Sequence, residues 1–323
     1  MGSSLHFPDS SRNPPAIFVM GPTAAGKTDL ARRLYECLPC EVVSVDSALV
    51  YKGLDIGTAK PSLAFLERVP HRLIDIVDPA DAYSAASFRE DALAAMREIT
   101  AAGRIPLLVG GTMLYYRSLE NGLSELPAAN AQVRASLEAE IAAAGLEAAH
   151  RRLAEIDPVA AARIHPNDPQ RIQRALEIYE LTGVSMTALC AESPRKKLPF
   201  SIAKIVISPT DRAVLHQRIE RRFMEMIEQG FIEEVVSLRQ RGDLNLSMPS
   251  MRAVGYRQVW EYLEGNYDHD TMVYKGVVAT RQLAKRQLTW LRSEQGGAWF
   301  DGESPDCFDG ILRYLQSDLQ LGI

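Results

Sequence analysis

The chain has 323 residues, 46% hydrophobic and 24% charged, with a formal net charge of −5 and four cysteines. That length allows one large or two ordinary domains with a substantial core. The acidic balance argues against indiscriminate nucleic-acid binding but leaves room for a local basic surface. The sparse cysteines argue against a disulfide framework and fit a reducing cytosol, and no apolar run approaches the ~20 residues of a membrane span. Residues 1–13 are polar and lack the pattern of a signal peptide, so they read as a loose tail. Gly2 hints at lipidation, but His6 stands where Ser or Thr is needed.

The first predicted element is a strand, Ile17-Phe18-Val19-Met20, followed by Gly21-Pro22-Thr23-Ala24-Ala25-Gly26-Lys27-Thr28 and a helical pattern from Asp29 to Leu38. Those eight residues fit the G-x-x-x-x-G-K-[ST] phosphate-binding loop in its required strand-to-helix setting. Backbone N–H groups of such a turn and of the helix start converge on anionic oxygens. Lys27 adds a mobile positive charge, and the Thr28 hydroxyl suits a magnesium ion bridging phosphate oxygens. Cys37-Leu38-Pro39-Cys40 closes a helix and precedes a strand, the reverse of a redox motif, and no second pair completes a zinc site.

Strands are predicted next at Glu41 to Val45 and at Arg72 to Val77, the latter ended by Asp78-Pro79. A helix spans Ser84 to Ala101, with Ser87 and Glu90 at capping-box spacing. Ile105 to Val109 is a continuous apolar run, as in strands buried on both faces of a parallel sheet. Gly110-Gly111 breaks it before a helix starting at Thr112. This alternation predicts an α/β doubly wound sheet. From Pro127 through Glu192 the pattern is Ala-rich and helical; Asn167-Asp168-Pro169 starts a helix that Gly183 ends. Ser193 to Pro199 reads as a linker, Ile202 to Ile207 as a strand, and Ala298 to Asp301 as a short final strand. The expected organisation is a core at 14–126 and 196–323 with a helical insertion at 127–195.

Asp46 follows the second strand, and ligands of open α/β sheets bind outside the strands' carboxyl ends. A carboxylate beside bound diphosphate can ligate magnesium or act as a general base, while a turn cap is the plain alternative. Gly110-Gly111-Thr112 lies at another carboxyl end, where Thr112 can cap a helix and aim its hydroxyl at the same cleft. In the helix from Asp211 to Gln229, Arg222 falls in the apolar stripe of Leu215, Ile219 and Met226, so its guanidinium wants either a structural carboxylate or the cleft's anion. Basic faces recur at Arg171 and Arg174, opposite Ile172, Leu176 and Tyr179, and at Arg281, Lys285 and Arg292 on the helix from Thr271 to Arg292. Such faces are usually merely solvated, but two of them with Arg195-Lys196-Lys197 in an acidic chain raise the chance of a nucleic-acid partner.

These segments together resemble the bacterial tRNA dimethylallyltransferase (tRNA isopentenyltransferase) family over about 15–295. The resemblance rests on GPTAAGKT at 21–28, SVDSALVYKGLDIGTAKPS at 44–62, HRLIDIVDP at 71–79, LLVGGTMLYY at 107–116, HPNDPQRIQRALEIY at 165–179, RAVGYRQVW at 252–260 and ATRQLAKRQLTWLR at 279–292. It implies a P-loop NTPase-like core and transfer of a dimethylallyl group from its diphosphate to the exocyclic amine of the adenosine 3′ of the anticodon. It implies further that Gly21, Pro22, Thr23, Ala24, Ala25, Gly26, Lys27 and Thr28 hold the allylic diphosphate, with Mg2+ on Thr28. Asp46 would take the amine proton, with Thr112 assisting, and Arg222 would help neutralise the leaving group. The tRNA anticodon arm would meet Asp46, Ser47, Ala48, Leu49, Thr112, Arg134, Gln170, Arg171, Ile172, Gln173 and Arg174. Further contacts would be Arg252, Ala253, Val254, Gly255, Tyr256 and Arg257, and Lys285, Arg286, Gln287, Leu288, Thr289, Trp290, Leu291 and Arg292. A cytoplasmic monomer without membrane contact is expected, its insertion closing over the arm.

Ala25 stands where serine is common in the family, and only its backbone N–H is expected to matter. The last third holds just Cys307, so the zinc finger of eukaryotic relatives is not expected. Rival readings are a P-loop kinase of a small metabolite, with Asp46 as base for a hydroxyl; a non-catalytic RNA-binding module, which would tolerate loss of Asp46; and a cousin that prenylates free adenine nucleotides.

Overall fold

The computed structural model describes residues 13–192 and 198–319; the expected tail up to residue 12 and the Arg195-Lys196-Lys197 stretch lie outside them. β1 (Pro15–Met20) runs into the Gly-rich loop and α1 (Lys27–Cys37) leaves it. The chain returns as β2 (Cys40–Val45), then α2 (Leu63–Arg68), β3 (His71–Arg72), α3 (Ala85–Ala101), β4 (Ile105–Gly110) and α4 (Met113–Asn121). Five helices follow: α5 (Ala131–Ala144), α6 (Leu146–Ile156), α7 (Pro158–Arg163), α8 (Pro169–Thr182) and α9 (Met186–Glu192). β5 (Ser201–Ile207), α10 (Arg212–Glu228), α11 (Phe231–Gln240), α12 (Tyr256–Leu263), α13 (His269–Ser293), β6 (Gly297–Phe300) and α14 (Cys307–Leu319) complete it. Two compact units result: one runs to Glu120 and resumes at Leu198, and the other starts at Asn121 and fills the stretch between.

The larger unit is built on a six-stranded, all-parallel sheet in the order β3-β2-β4-β1-β5-β6. The apolar runs read from the sequence become its centre: every residue of β4 is buried, as is β1 after Pro15. Successive side chains go to opposite faces. Phe18, Val43 and Leu108 meet Phe88, Met96, Tyr116 and Leu288 on one side. Ile17, Val42, Leu107 and Ile205 meet Leu30, Leu34, Ile311 and Leu315 on the other. Each large side chain buried this way contributes about 1.5–3 kcal/mol. A third cluster joins Tyr51 and Leu54 to Phe223, Phe231, Tyr256 and Trp260. β1 is central, and β2 and β5 lie to its two sides, so the loop after β1 sits at a topological switch point.

Two local expectations are corrected. The strand predicted over Arg72 to Val77 shrinks to His71–Arg72, paired with Val42 and Val43. Leu73 and Asp75 take positive φ of 63° and 55°, which a continuous strand cannot accommodate. Lys60 holds that bend by ion pairs to Asp75 and Asp55, and only a single bridge, Tyr51 to Val77, resumes the pairing. The capping box at Ser87 and Glu90 does not form, because the N-cap lies one turn earlier: Ser84 Oγ accepts from the Ser87 N–H at 3.0 Å.

The helical unit has its own core, with Leu137, Leu153, Ile172 and Leu176 at its centre. Asp168 caps α8 with Pro169 in its first turn, and Gly183 ends it with φ 69°. Glu177 is fully buried. Its carboxylate accepts from Arg134 Nε at 2.9 Å, Arg174 Nη1 at 2.6 Å and the Asn130 N–H at 2.8 Å. Burial pulls its pKa upward, and these donors outweigh it and hold the carboxyl below its ordinary range.

Candidate active site

The phosphate loop opens into a cleft of about 750 Å³ in the larger unit. Ala24 takes a left-handed φ of 62° and Gly26 one of 92°, so the loop curls back before α1 begins. No side chain caps α1, which leaves the amides of its first turn for a ligand. Ala25 lines the cleft and is buried, and its N–H donates to the Pro22 carbonyl at 3.3 Å. Lys27 Nζ donates to the Gly21 and Pro22 carbonyls at 3.0 and 2.7 Å. Burial pushes its pKa down to about 8; Asp46 opposes this and Arg222 adds to it.

Asp46, Ala48 and Leu49 from the end of β2, and Gly110 and Gly111 from the end of β4, line the same cleft. Asp46 is a turn cap that also faces the cleft. Its Oδ1 caps its own turn, accepting from the Ala48 N–H at 2.8 Å and the Leu49 N–H at 3.4 Å, and the residue faces the cleft. Thr112 turns its Oγ1 to the Ser47 N–H at 3.0 Å and so ties the two strand ends together. Gly110 has a packing reason, since a Cβ there would stand 2.0 Å from the Val45 carbonyl oxygen.

Arg222 lines the cleft and makes no ion pair among the described residues; its Nη2 donates to the Ala59 carbonyl at 3.4 Å. Burial lowers its pKa, against the opposite pull of Asp46. An unpaired, largely desolvated guanidinium of this kind is set up to receive an anion. The wall carrying Ala59 depends on Glu234, which sequence reasoning missed. Its carboxylate accepts from the N–H groups of Asp55, Ile56 and Gly57 at 3.0, 2.7 and 3.2 Å and from Tyr256 Oη at 2.5 Å. No local pattern announces a contact between helix α11 and a loop so far away in sequence.

The remaining predicted contacts divide by burial. Ile172, Tyr256, Leu288 and Leu291 are buried, so they cannot offer side chains to a macromolecular partner, and that expectation is corrected for these four; Gly255, also buried, has no side chain to offer. They sit in helical segments where polar and core positions alternate, so a motif match across a whole segment includes core residues. Arg134 and Arg174 spend their guanidinium groups on Glu177, and Gln173 donates to the Arg134 carbonyl and to Glu138. Gln170, Arg171, Ser47, Arg252 and Arg257 are exposed, the last paired with Glu261. Ala253 and Val254 line the cleft. On α13, Lys285, Arg286, Thr289 and Arg292 are exposed, whereas Arg281 pairs with Glu220 and Trp290 lies under Arg117.

Cys40 is buried, its thiol pushed up to about 12 by desolvation, and Cys37 is exposed. Among the described residues no group of three or more His, Cys, Asp or Glu could hold a metal ion. No described helix is long and apolar enough to cross a membrane.

A parallel α/β sheet with a phosphate loop at its switch point, facing Asp46 and the unpaired Arg222, defines a protein with a P-loop type of core. The description "IPP transferase" fits residues 49–294, and the chain belongs to that enzyme family. It is similar over 95% of its length to 97% of the full-length tRNA isopentenylpyrophosphate transferase from Bacillus halodurans, at 37% identity and a TM-score of 0.70. The corresponding transferase from Staphylococcus epidermidis is 32% identical, with 94% of this chain and 99% of that one covered and a TM-score of 0.67. A eukaryotic dimethylallyltransferase acting on tRNA is 26% identical, with 94% and 76% covered and a TM-score of 0.76.

Proposed function

We propose that this protein transfers a dimethylallyl group from dimethylallyl diphosphate to the exocyclic amine of the adenosine 3′ of a tRNA anticodon, releasing diphosphate. The observation that carries this reading is the convergence of the phosphate loop, Asp46 and Arg222 on one cleft, in a chain of the IPP transferase family. The allylic C–O bond breaks with its electrons passing to the diphosphate, and the adenine nitrogen bonds to the allylic carbon. Lys27 and Arg222 offset the charge that develops on the leaving oxygen, a preorganised arrangement of the kind that dominates such catalysis. Asp46 takes the proton from the amine, and Thr112 steadies the Asp46 turn through Ser47.

Mg2+ suits this donor set. Thr28 lines the cleft beside Lys27, and with no acidic cluster among the described residues the ion would depend on substrate phosphate oxygens, as Mg2+ commonly does. When bound, it would supply further charge to the departing diphosphate. The exposed Ser47, Gln170, Arg171, Arg252, Arg257, Lys285, Arg286 and Arg292 are the tRNA contacts this reading retains, with the helical unit gripping the anticodon arm. The reading is of a cytoplasmic monomer.

The test incubates protein, Mg2+ and radiolabelled dimethylallyl diphosphate with unmodified tRNA bearing adenosine 3′ of its anticodon. Label enters the tRNA and fails to enter when that adenosine is replaced. Absence of label, with ATP consumed in the presence of a small acceptor, would replace this reading by the kinase one.

A further inference from the structure

The parallel ladder that joins β1 to β4 stops at the pair Met20 and Gly110, and the one joining β2 to β4 stops at Val45 and Gly110. Beyond those pairs the phosphate loop and the Asp46 turn are loops, with no sheet bond between them. Gln287 of α13 spans this gap. Its Nε2 donates to the Gly111 carbonyl at 2.9 Å, and its Oε1 accepts from the Thr23 N–H at 2.9 Å. From Gly111 the chain passes to Thr112, whose N–H donates to the Val45 carbonyl at 3.2 Å and whose Oγ1 accepts from the Ser47 N–H. A hydrogen-bonded path therefore runs from the diphosphate side of the cleft to the residue after Asp46, and one side chain closes it.

We propose that Gln287 is a positioning residue that holds the phosphate loop in register with the Asp46 and Thr112 side of the cleft. The inference rests on the prenyl-transfer reading and deepens it: the loop carries the donor and Asp46 serves the acceptor, so Gln287 sets their separation. The side-chain chemistry is specific. The bridge needs a donor and an acceptor in one planar group, which a carboxylate, an ammonium or a guanidinium cannot supply. Position 111 is shaped to match, because a Cβ there would lie 2.4 Å from Gln287 Nε2. Leu288 and Leu291 anchor this part of α13 in the sheet's core, so the strut stands on a rigid base. Its neighbours Lys285, Arg286, Thr289 and Arg292 face outward while Gln287 is half-buried, which separates it from the RNA-contact role that its segment implied.

The test compares wild type, Gln287→Ala, Gly111→Ala and the double variant, by steady-state transfer with each substrate varied, by tRNA filter binding and by thermal denaturation. Misplacing reacting groups by about an ångström costs up to ~100-fold, so Gln287→Ala should lower kcat by about 10- to 100-fold. Its tRNA Kd and melting temperature should stay near wild type. Gly111→Ala pushes the amide aside without altering α13 and should reproduce the loss, and the double variant should be no worse than the worse single one. Should Gln287→Ala fail to fold, Gly111→Ala decides alone. A raised tRNA Kd with kcat intact would make Gln287 an RNA contact and overturn the proposal, as would losses that multiply in the double variant. Wild-type inactivity would instead sink the prenyl-transfer reading, independently of the variant ratios.

Discussion

Two regions of this protein place arginines on helices, and they use them in opposite ways. In the helical unit, Arg134 and Arg174 converge on Glu177, a buried carboxylate supplied by the fold itself. In the sheet unit, Arg222 is largely desolvated at the cleft with only a long bond to a carbonyl. A guanidinium satisfied internally stabilises; one left unsatisfied beside a phosphate loop stores binding capacity for an anion that arrives later. The difference lies in the location of the carboxylate, and helical periodicity does not report it.

The sharpest way to break this contrast is at the acceptor side of the cleft. Asp46→Ala should lower turnover by about 10²- to 10⁴-fold, the range of general-base catalysis, while filter binding shows tRNA affinity retained. Normal turnover would remove the base assignment. Next, Arg222→Ala should lower kcat about 100-fold with the melting temperature unchanged or raised, because no internal carboxylate loses a partner. A large drop in melting temperature would make Arg222 a structural residue like its counterparts in the helical unit.

The mirror experiment is Arg134→Ala with Arg174→Ala. It leaves the Glu177 carboxylate buried and uncompensated, which costs about 3 kcal/mol or more. Thermal or urea unfolding should register that loss, and a change in tRNA affinity without any loss of stability would contradict the internal role.

Lys27 gives the smallest effect and a pH signature. Its pKa in the folded protein, about 8, lies below its ordinary 10.5. The unfolded chain therefore binds more protons between those values, and folding stability rises with pH across that window. Diphosphate binding favours the charged ammonium, so affinity for dimethylallyl diphosphate should weaken above pH 8, by at most about tenfold per pH unit. Calorimetric titration in two buffers of different ionisation heat should show proton uptake on binding above pH 8. An affinity flat from pH 7 to 10 would mean that Lys27 does not meet the ligand.

The strand-loop-helix start, the buried strands β1, β4 and β5, the helical middle and the caps at Asp168 and Gly183 were all legible in the sequence. Each depends on interactions within a few residues: alternation, apolar runs, a proline in a first turn, a glycine with positive φ. The cleft positions of Lys27, Asp46 and Arg222 were legible as well, because Lys27 and Asp46 stand in or beside a recognisable motif and Arg222 interrupts an apolar stripe. Two local readings failed: Lys60, fifteen residues away, holds a bend at Asp75, and Ser84, one turn earlier, takes the cap of α3 ahead of Ser87. Which arginines pair internally, which motif residues are core, and that Glu234 and Gln287 brace the cleft were decided only by tertiary structure. Hydrogen bonds and ion pairs form between groups that meet in space, and a chain's local pattern carries no record of the distant group that will arrive.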